Sequence, residues 1–327
     1  MKKISIILLC LAGGLFISAA SKDVSKNEKA PETVRVSALK GPTAMGMVKL
    51  MQDSSEGKTI NTYDFTLATT DEIVPRISKG EIDIAAIPAN LASVLYNNTQ
   101  GKFQVMAINT LGVLYIVEKG DSIRSVEDLK GKTIYANGKG STPEFSLNYV
   151  LAQHGLVPGK DLTIEYKSEA AEIIPLLARG TGGIAMIPQP FVTTAQMRVE
   201  GLRIALNWSE EWDKAAADGS SLVTGVMIVR KEFADQYPQA VKTFAEEYRA
   251  STEYANSHIP ETAVLIGNVG IVDSKIAEKA LPYCNITYID GLAMKEKLGG
   301  YLKALYDQNP KSVGDKLPDE GFYYIIK

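Results

Sequence analysis

A turn rich in glycine and hydroxyl groups has the chemistry most typical of a ligand site in this sequence. Gly138 and Gly140 precede Ser141 and Thr142, and Pro143 leads into a predicted helix. Glycines let the backbone approach a ligand, hydroxyls form hydrogen bonds, and the free N–H groups at a helix N-terminus favour an anion. The same residues also suit an ordinary helix cap, so the local sequence leaves both interpretations open.

A second turn has matching chemistry. Lys40, Gly41, Pro42 and Thr43 also follow a predicted strand, and both turns contain Lys-Gly followed by Thr. This correspondence favours ligand binding over simple capping. Lys40 and Lys139 could add positive charge to the site, although a lysine in a loop is more often only solvated.

The sequence also repeats a longer segment. Residues 72–90 and 172–190 are identical at eight of nineteen positions, at an offset of one hundred. Each copy predicts a short helix, a glycine that ends it, a buried strand and a closing proline. Identities at one fixed offset are less easily accidental than the common helix–strand pattern, so we expect two domains with one internal plan.

The two closing prolines are predicted to lie at opposed strand ends. In open α/β sheets, ligands bind outside the carboxyl ends of the strands. We therefore expect Pro88 and Pro188 to face each other across a ligand. The residues that follow them differ, Ala89-Asn90 in one copy and Gln189-Pro190 in the other, and this is where specificity is expected.

Alternating strand and helix patterns predict an α/β fold of two doubly wound lobes. Lobe 1 is predicted from residues 34–117 and 222–327, and lobe 2 from residues 122–207. The chain would cross between the lobes near residues 112–121 and 208–221, which makes a two-crossing hinge with a cleft. All of the chain after residue 231 is predicted to be helical, with an interruption near Pro238.

The N-terminus has the pattern of an export signal. Two lysines, an apolar run and small residues predict a signal peptide over residues 1–20, followed by a polar tether over residues 21–33. Lipid attachment at Cys10 is an alternative, but Cys10 lies deep inside the apolar run. We therefore expect a periplasmic protein.

Composition excludes several classes. The formal charge of −3 becomes −5 once the two leader lysines are removed, which argues against nucleic-acid binding. After processing, Cys284 is the single cysteine, so the mature chain has no intramolecular disulfide. His154 and His258 are far apart and without metal-ligand spacing, so we expect no metal and no cofactor. We expect His154 to lie at a helix end before Gly155, where a histidine interacts favourably with the helix dipole.

Several motifs resemble one known family. They are Val126-Glu127-Asp128-Leu129-Lys130-Gly131-Lys132-Thr133-Ile134, Gly140-Ser141-Thr142, His154-Gly155-Leu156, Gln189-Pro190-Phe191 and Leu222-Val223-Thr224-Gly225-Val226. Together they are similar to the substrate-binding proteins of ABC importers, in the group that handles sulfonates, nitrate and thiamine precursors. The resemblance covers nearly the whole mature chain and implies a type II periplasmic-binding fold that clamps its ligand between two lobes.

By position, the resemblance implies a pocket in four loops and a returning segment. These are Gly41-Pro42-Thr43, Pro88-Ala89-Asn90, Gly140-Ser141-Thr142, Gln189-Pro190 and Thr224. Many relatives have Glu-Pro-Phe where this chain has Gln189-Pro190-Phe191. A neutral amide cannot pair with a cation, so we expect an anionic or neutral solute.

The expected function is capture of a small solute and its delivery to an ABC permease by a monomer. A sensory module on the same clamp and a secreted enzyme are the alternatives. No nucleophile elbow is present, and Cys284 has no evident base partner, so we expect no catalysis.

Overall fold

The computed structural model of the protein describes residues 31–179, 183–216 and 219–326. The predicted signal peptide, Cys10 and residues 21–30 of the predicted tether lie outside the described residues. Across these three ranges, no helix is both long enough and apolar enough to cross a membrane.

The strands fall into two sheets. In chain order they are β1 (Val34–Leu39), β2 (Tyr63–Ala68), β3 (Ile84–Pro88), β4 (Phe103–Leu111), β5 (Leu114–Lys119), β6 (Thr133–Asn137), β7 (Thr163–Lys167), β8 (Ile184–Pro188), β9 (Leu202–Asn207), β10 (Val223–Arg230) and β11 (Ile286–Ile289).

Helices alternate with these strands until β10 and dominate the chain after it. They are α1 (Pro42–Met45), α2 (Val48–Ser55), α3 (Thr70–Ser78), α4 (Ala89–Asn98), α5 (Thr142–Gln153), α6 (Ala170–Ala178), α7 (Phe191–Arg198), α8 (Trp208–Ala215), α9 (Lys231–Gln236), α10 (Pro238–Ser257), α11 (Ile259–Asn268), α12 (Ser274–Ala280) and α13 (Gly291–Gln308). The predicted interruption near Pro238 is confirmed, because α10 begins there with proline at its first position.

The first sheet has the strand order β11-β4-β10-β3-β1-β2. Strand β1 pairs in parallel with β2 and β3, whereas β10 lies antiparallel between β3 and β4. Residues along β10 alternate between two cores. Val226 and Ile228 pack with the cluster that contains α13, and Met227 and Val229 pack with the cluster that contains α10. Burial on both faces explains why β10 is apolar without alternation.

The second sheet repeats this plan, with the order β7-β6-β8-β5-β9. Strand β6 pairs in parallel with β7 and β8, and β5 lies antiparallel between β8 and β9. In each sheet, the first strand after the chain arrives from the other sheet runs antiparallel to both of its neighbours; it is β10 in the first sheet and β5 in the second. The predicted α/β class with two sheets and two crossings is confirmed.

The repeated segments form equivalent elements at the predicted offset. Helices α3 and α6 begin at residues 70 and 170, and both have a capping box that closes their first turn. Strands β3 and β8 each have four buried residues followed by a half-buried proline. The repeat therefore corresponds to structure, residue by residue.

The predicted end of the first lobe at residue 117 is wrong. Leu114 in β5 lies opposite Pro188, and Tyr115 lies opposite Asn207, so this strand belongs to the second sheet. The linking segment between β4 and β5 is only Gly112-Val113. A local strand pattern does not specify which sheet the strand joins, so the sequence did not place β5 in the second sheet.

The prediction of helices alone after residue 231 is also wrong. Strand β11 pairs with the edge of the first sheet, with Ile286 opposite Thr110. It has only four residues, and a run that short gives too weak a periodic signal to be separated from its helical surroundings. Residues 208–221, predicted as a transition, include helix α8.

Candidate functional site

The carboxyl ends of β3 and β8 meet at one cavity. Pro88 and Pro188 end these strands, and the antiparallel partners place Gly225 opposite Pro88 and Leu114 opposite Pro188. A cavity of about 360 Å³ lies among these strand ends. Both prolines line this cavity, so each sheet contributes the equivalent strand end to its wall.

Ten residues line this cavity, and they come from strands of both sheets and from the helix starts and the linking segment that adjoin those strands. They are Pro88, Asn90, Leu91, Val113, Leu114, Ser141, Thr142, Pro143, Pro188 and Thr224. Five of the predicted site residues, Pro88, Asn90, Ser141, Thr142 and Thr224, are therefore brought together. Sequence reasoning missed Leu91, Val113, Leu114 and Pro143 as lining residues. Val113 and Leu114 follow from the antiparallel pairing of β5, which no local pattern indicates.

The other predicted site residues do not line this cavity. They are Lys40, Gly41, Pro42, Thr43, Ala89, Gly138, Gly140, Gln189 and Pro190. Several neighbour it in sequence, and some have internal partners. The Thr43 hydroxyl donates to the Leu39 carbonyl at 3.0 Å, so that hydroxyl stabilises the turn itself. The Gly140 N–H donates to Glu144 Oε2 at 2.6 Å.

Two helices begin at or next to residues that line this cavity. Helix α4 begins at Ala89, directly after Pro88, and α5 begins at Thr142. The first turn of a helix has no intrahelical acceptors for its N–H groups and carries partial positive charge. Ser141 occupies the N-cap position of α5, but its hydroxyl donates to the Gly138 carbonyl at 2.7 Å. The Ser141 side chain therefore does not form the hydrogen bond to the helix that a capping role requires.

A hydrogen-bonded chain of side chains crosses the cavity wall. The Tyr301 hydroxyl donates to Thr142 Oγ1 at 3.0 Å, and Thr142 Oγ1 donates to Asn90 Oδ1 at 3.3 Å. Thr142 is buried and Tyr301 is inaccessible to solvent. Tyr301 lies on α13, far along the chain, and gave no signal in the sequence.

None of the ten lining residues is ionisable. Lys139 lies near an aromatic side chain, with its Nζ 6.0 Å from the Tyr166 ring centroid, and Lys40 is exposed. The polar part of the cavity therefore consists of hydroxyl groups, one amide and backbone. Across the described residues, no group of three or more His, Cys, Asp and Glu side chains could hold a metal ion.

Gln189 is buried beside the cavity and has an unused donor. Its Oε1 accepts hydrogen bonds from the N–H and hydroxyl of Thr193, at 3.3 and 2.9 Å. A backbone N–H can only donate, so the amide oxygen must face Thr193 and the NH₂ group must face away. Gln189 Nε2 is buried without a hydrogen-bond partner among the described residues.

A larger cavity of about 820 Å³ lies at the opposite end of the first sheet. It is lined by Gly80 before β3, Phe103 at the start of β4 and Arg230 at the end of β10. Its charged groups pair locally, with Arg230 bonded to Asp83 and Lys231 bonded to Asp235 at 2.7 Å in each case. It is remote from the strand ends that distinguish ligand sites in α/β sheets.

Cys284 and His154 lie away from the cavity lining. Cys284 is fully buried, its Sγ donates to the Ala280 carbonyl at 3.3 Å, and burial raises the pKa of its thiol to about 12. His154 is at the C-cap of α5, as expected, and its Nδ1 lies 2.6 Å from Glu127 Oε1. The hydrogen bond with His154 is the main reason why the pKa of Glu127 falls to about 2.

Comparison with known proteins agrees with this architecture. The family model for periplasmic substrate-binding proteins of phosphonate ABC transporters matches residues 58–244. A solved ABC transporter protein from Parabacteroides distasonis is 24% identical, with a TM-score of 0.76, and the match covers 91% of this chain and 100% of that chain. No curated protein matches the chain.

Two further solved structures bind sulfonates. The periplasmic aliphatic sulphonate binding protein SsuA from Escherichia coli is 15% identical over 91% of this chain and 94% of that chain, with a TM-score of 0.72. The alkanesulfonate-binding protein SsuA from Xanthomonas axonopodis pv. citri, bound to MOPS, is 17% identical over 89% and 96%, with a TM-score of 0.62. At these identities the likeness shows the fold, and it confirms the predicted fold class.

Proposed function

Because the chain belongs to the family of periplasmic substrate-binding proteins of phosphonate ABC transporters, we propose that it captures a small anionic or neutral organic solute between its two sheets. Membership confirms the resemblance inferred from the motifs. The protein is therefore the periplasmic substrate-binding component of an ABC importer. Such a component binds a small solute and works with a membrane permease, and the family implies an exported protein.

One observation carries the proposed location and ligand chemistry, namely the cavity between Pro88 and Pro188. It is bordered by the N-termini of α4 and α5 and includes the hydroxyls of Ser141, Thr142 and Thr224, but no acidic side chain. Helix N-termini favour an anionic oxygen, and a cation would find no carboxylate in the lining. A small organic phosphonate or sulfonate fits this chemistry, with its alkyl part against Leu91, Val113 and Leu114.

Capture by hinge closure is part of the proposal. The two crossings would be Gly112-Val113 and the segment between α8 and β10, and the lobes would be the two sheets with their helices. A ligand that contacts both sheets binds the closed arrangement more tightly and so shifts the population towards it. Small-angle X-ray scattering with and without solute measures this as a smaller radius of gyration.

The remaining parts of the proposal concern partners. We propose a monomer that neither binds nucleic acid nor catalyses a reaction of its solute. The negative formal charge of the chain supports the absence of nucleic-acid binding, and the lack of an ionisable side chain in the cavity lining supports the absence of catalysis. Native mass spectrometry of protein purified from its own periplasm would identify a trapped solute directly, and recovery of a chemically altered solute would argue for an enzyme.

The central test is the double variant Ser141→Ala/Thr142→Ala. Methylphosphonate and methanesulfonate are the probes, and binding is measured as a thermal shift. A solute at 100 times its Kd stabilises the folded state by about 2.7 kcal/mol, or about 5–10 °C in Tm for a protein of this size. We expect the double variant to stay folded and to lose most of that shift, because two cavity hydroxyls are removed.

A matched control removes the same two groups elsewhere. Ser55 and Thr99 have hydroxyls that donate to helix carbonyls at 2.7 and 2.6 Å, outside the cavity. Ser55→Ala/Thr99→Ala should keep the full thermal shift. Equal solute affinity in the Ser141→Ala/Thr142→Ala variant and the wild type would contradict the assignment of this cavity.

A further inference from the structure

The chain of hydrogen bonds from Tyr301 to Asn90 has a defined direction. Asn90 Nδ2 donates to the Ser312 carbonyl at 3.4 Å, so the Asn90 oxygen must be the atom that faces Thr142. An exchange of the two amide atoms would place two carbonyl oxygens together. Thr142 therefore gives its single hydroxyl proton to Asn90 and accepts from Tyr301.

The two bonds of Thr142 differ in quality. The bond from Tyr301 is 3.0 Å long, whereas the bond to Asn90 is 3.3 Å, which is long for an O–H···O hydrogen bond. Burial raises the pKa of Tyr301, so its hydroxyl stays protonated and keeps its role as donor. The bond to Asn90 is thus the weaker link, and both of its partners line the solute cavity.

Tyr301 on α13 is held by packing against Trp212 of α8 and by contacts of α13 with α5. The Tyr301 ring centroid lies 5.5 Å from that of Trp212, which in turn lies 4.3 Å from that of Tyr149 on α5. Gln308, also on α13, donates to the Phe145 carbonyl of α5 at 3.1 Å. A donor that is fixed by packing orients its acceptor at little further entropic cost.

We propose that Tyr301 is a positioning residue that directs the Thr142 hydroxyl proton into the cavity, where an oxygen of the solute replaces Asn90 as its acceptor. This inference rests on the proposed function and deepens it. Because the positioned group is a donor, the site selects solutes that present an acceptor oxygen, such as phosphonate or sulfonate. Asn90 holds the proton in the absence of solute.

The test is a double-mutant cycle on solute affinity, with methylphosphonate and methanesulfonate as probes. We expect Tyr301→Phe to weaken binding about fivefold, because one neutral hydrogen bond that orients the donor is lost. In a Thr142→Val background, Tyr301→Phe should have no further effect, because the hydroxyl that it orients is absent. Isothermal titration calorimetry gives the four dissociation constants.

A packing role would give a different result. If Tyr301 only filled space, Tyr301→Phe would change affinity by the same factor in both backgrounds, and that outcome would overturn the inference. The control is Tyr248→Phe, at a buried tyrosine stacked on Phe244 in the other core of the first sheet, which should leave affinity unchanged. Normal binding by Tyr301→Phe would refute this inference alone, whereas failure of the wild type to bind either probe would refute the proposed function as well.

Discussion

The two chain crossings approach each other closely at Gly112, and this contact gives a sharp prediction. A methyl carbon at Gly112, in the first crossing, would lie 2.1 Å from Ser209 Oγ on α8 and 2.8 Å from Leu222 Cδ2. Leu222 directly precedes β10 in the second crossing. Gly112→Ala therefore tests how closely the two crossings pack against each other.

The distances set the size of the effect. Ordinary van der Waals contact begins at 3.4 Å, so the Ser209 oxygen would have to move by about 1.3 Å and the Leu222 methyl by about 0.6 Å. Ser209 can rotate, since its hydroxyl has no partner among the described residues. Leu222 is only 1% exposed and must displace its neighbours. Overpacking of this kind costs about 1–3 kcal/mol, which we expect as a loss in the free energy of unfolding.

Urea unfolding followed by tryptophan fluorescence is a suitable assay. The protein has two tryptophans, Trp208 and Trp212, and both are buried on α8 beside the crossings. Gly299→Ala is the matched control, because it adds the same methyl inside α13, where the nearest atom, the Tyr323 hydroxyl oxygen, is 3.4 Å away. That control should stabilise the protein by about 0.5–1 kcal/mol, since alanine replaces glycine in a helix.

A compensating substitution separates local crowding from other causes. In the Gly112→Ala background, Leu222→Val should cost less stability than it does in the wild type, because the smaller side chain relieves the contact. An unfolding midpoint for Gly112→Ala equal to that of the wild type would refute the close packing of the crossings. So would equal costs of Leu222→Val in both backgrounds.

Two further predictions concern buried ionisable groups. Burial raises the pKa of Asp83, but hydrogen bonds from Arg35 and Arg230 outweigh it and hold that pKa below the ordinary value of 3.8. Asp83 thus contributes stability above about pH 4 that is lost as the pH falls through its depressed pKa. We expect Asp83→Asn to lower the free energy of unfolding by about 1–3 kcal/mol at pH 7, and by less at pH 3; urea unfolding showing equal losses at both would contradict this account. Because burial raises the pKa of Cys284 to about 12, its thiol should not react with a thiol reagent at pH 8 until the protein unfolds, and rapid labelling of the folded protein would contradict that expectation.

Several features of the site could be predicted from the sequence because they are local. A glycine that ends a helix, a capping box and a buried run closed by proline each depend on residues within a few positions of one another. The repeat at residues 72–90 and 172–190 could therefore be assigned to helix and strand, and Pro88 and Pro188 could be placed at strand ends. The prediction of Asn90, Ser141 and Thr142 as neighbours relied on the same logic together with the family resemblance.

Tertiary structure decided which elements come together. Strand β5 joins the second sheet because its backbone groups pair with β8 and β9, and that pairing brings Val113 and Leu114 into the cavity. Tyr301 contacts Thr142 only because α13 packs against α5, although the two residues are 159 positions apart in the chain.

The division has one physical reason. Local dihedral preferences, caps and buried runs are encoded by neighbours in the chain, so the sequence alone determined the repeated helix–strand–proline unit and its chemistry. The choice of pairing partner depends on hydrogen bonds and apolar surfaces from distant segments, which compete only once the chain is compact. Local sequence therefore determined that strands end at Pro88 and Pro188. The packing of the whole molecule determined that these strand ends meet at one cavity and that Tyr301 lies behind it.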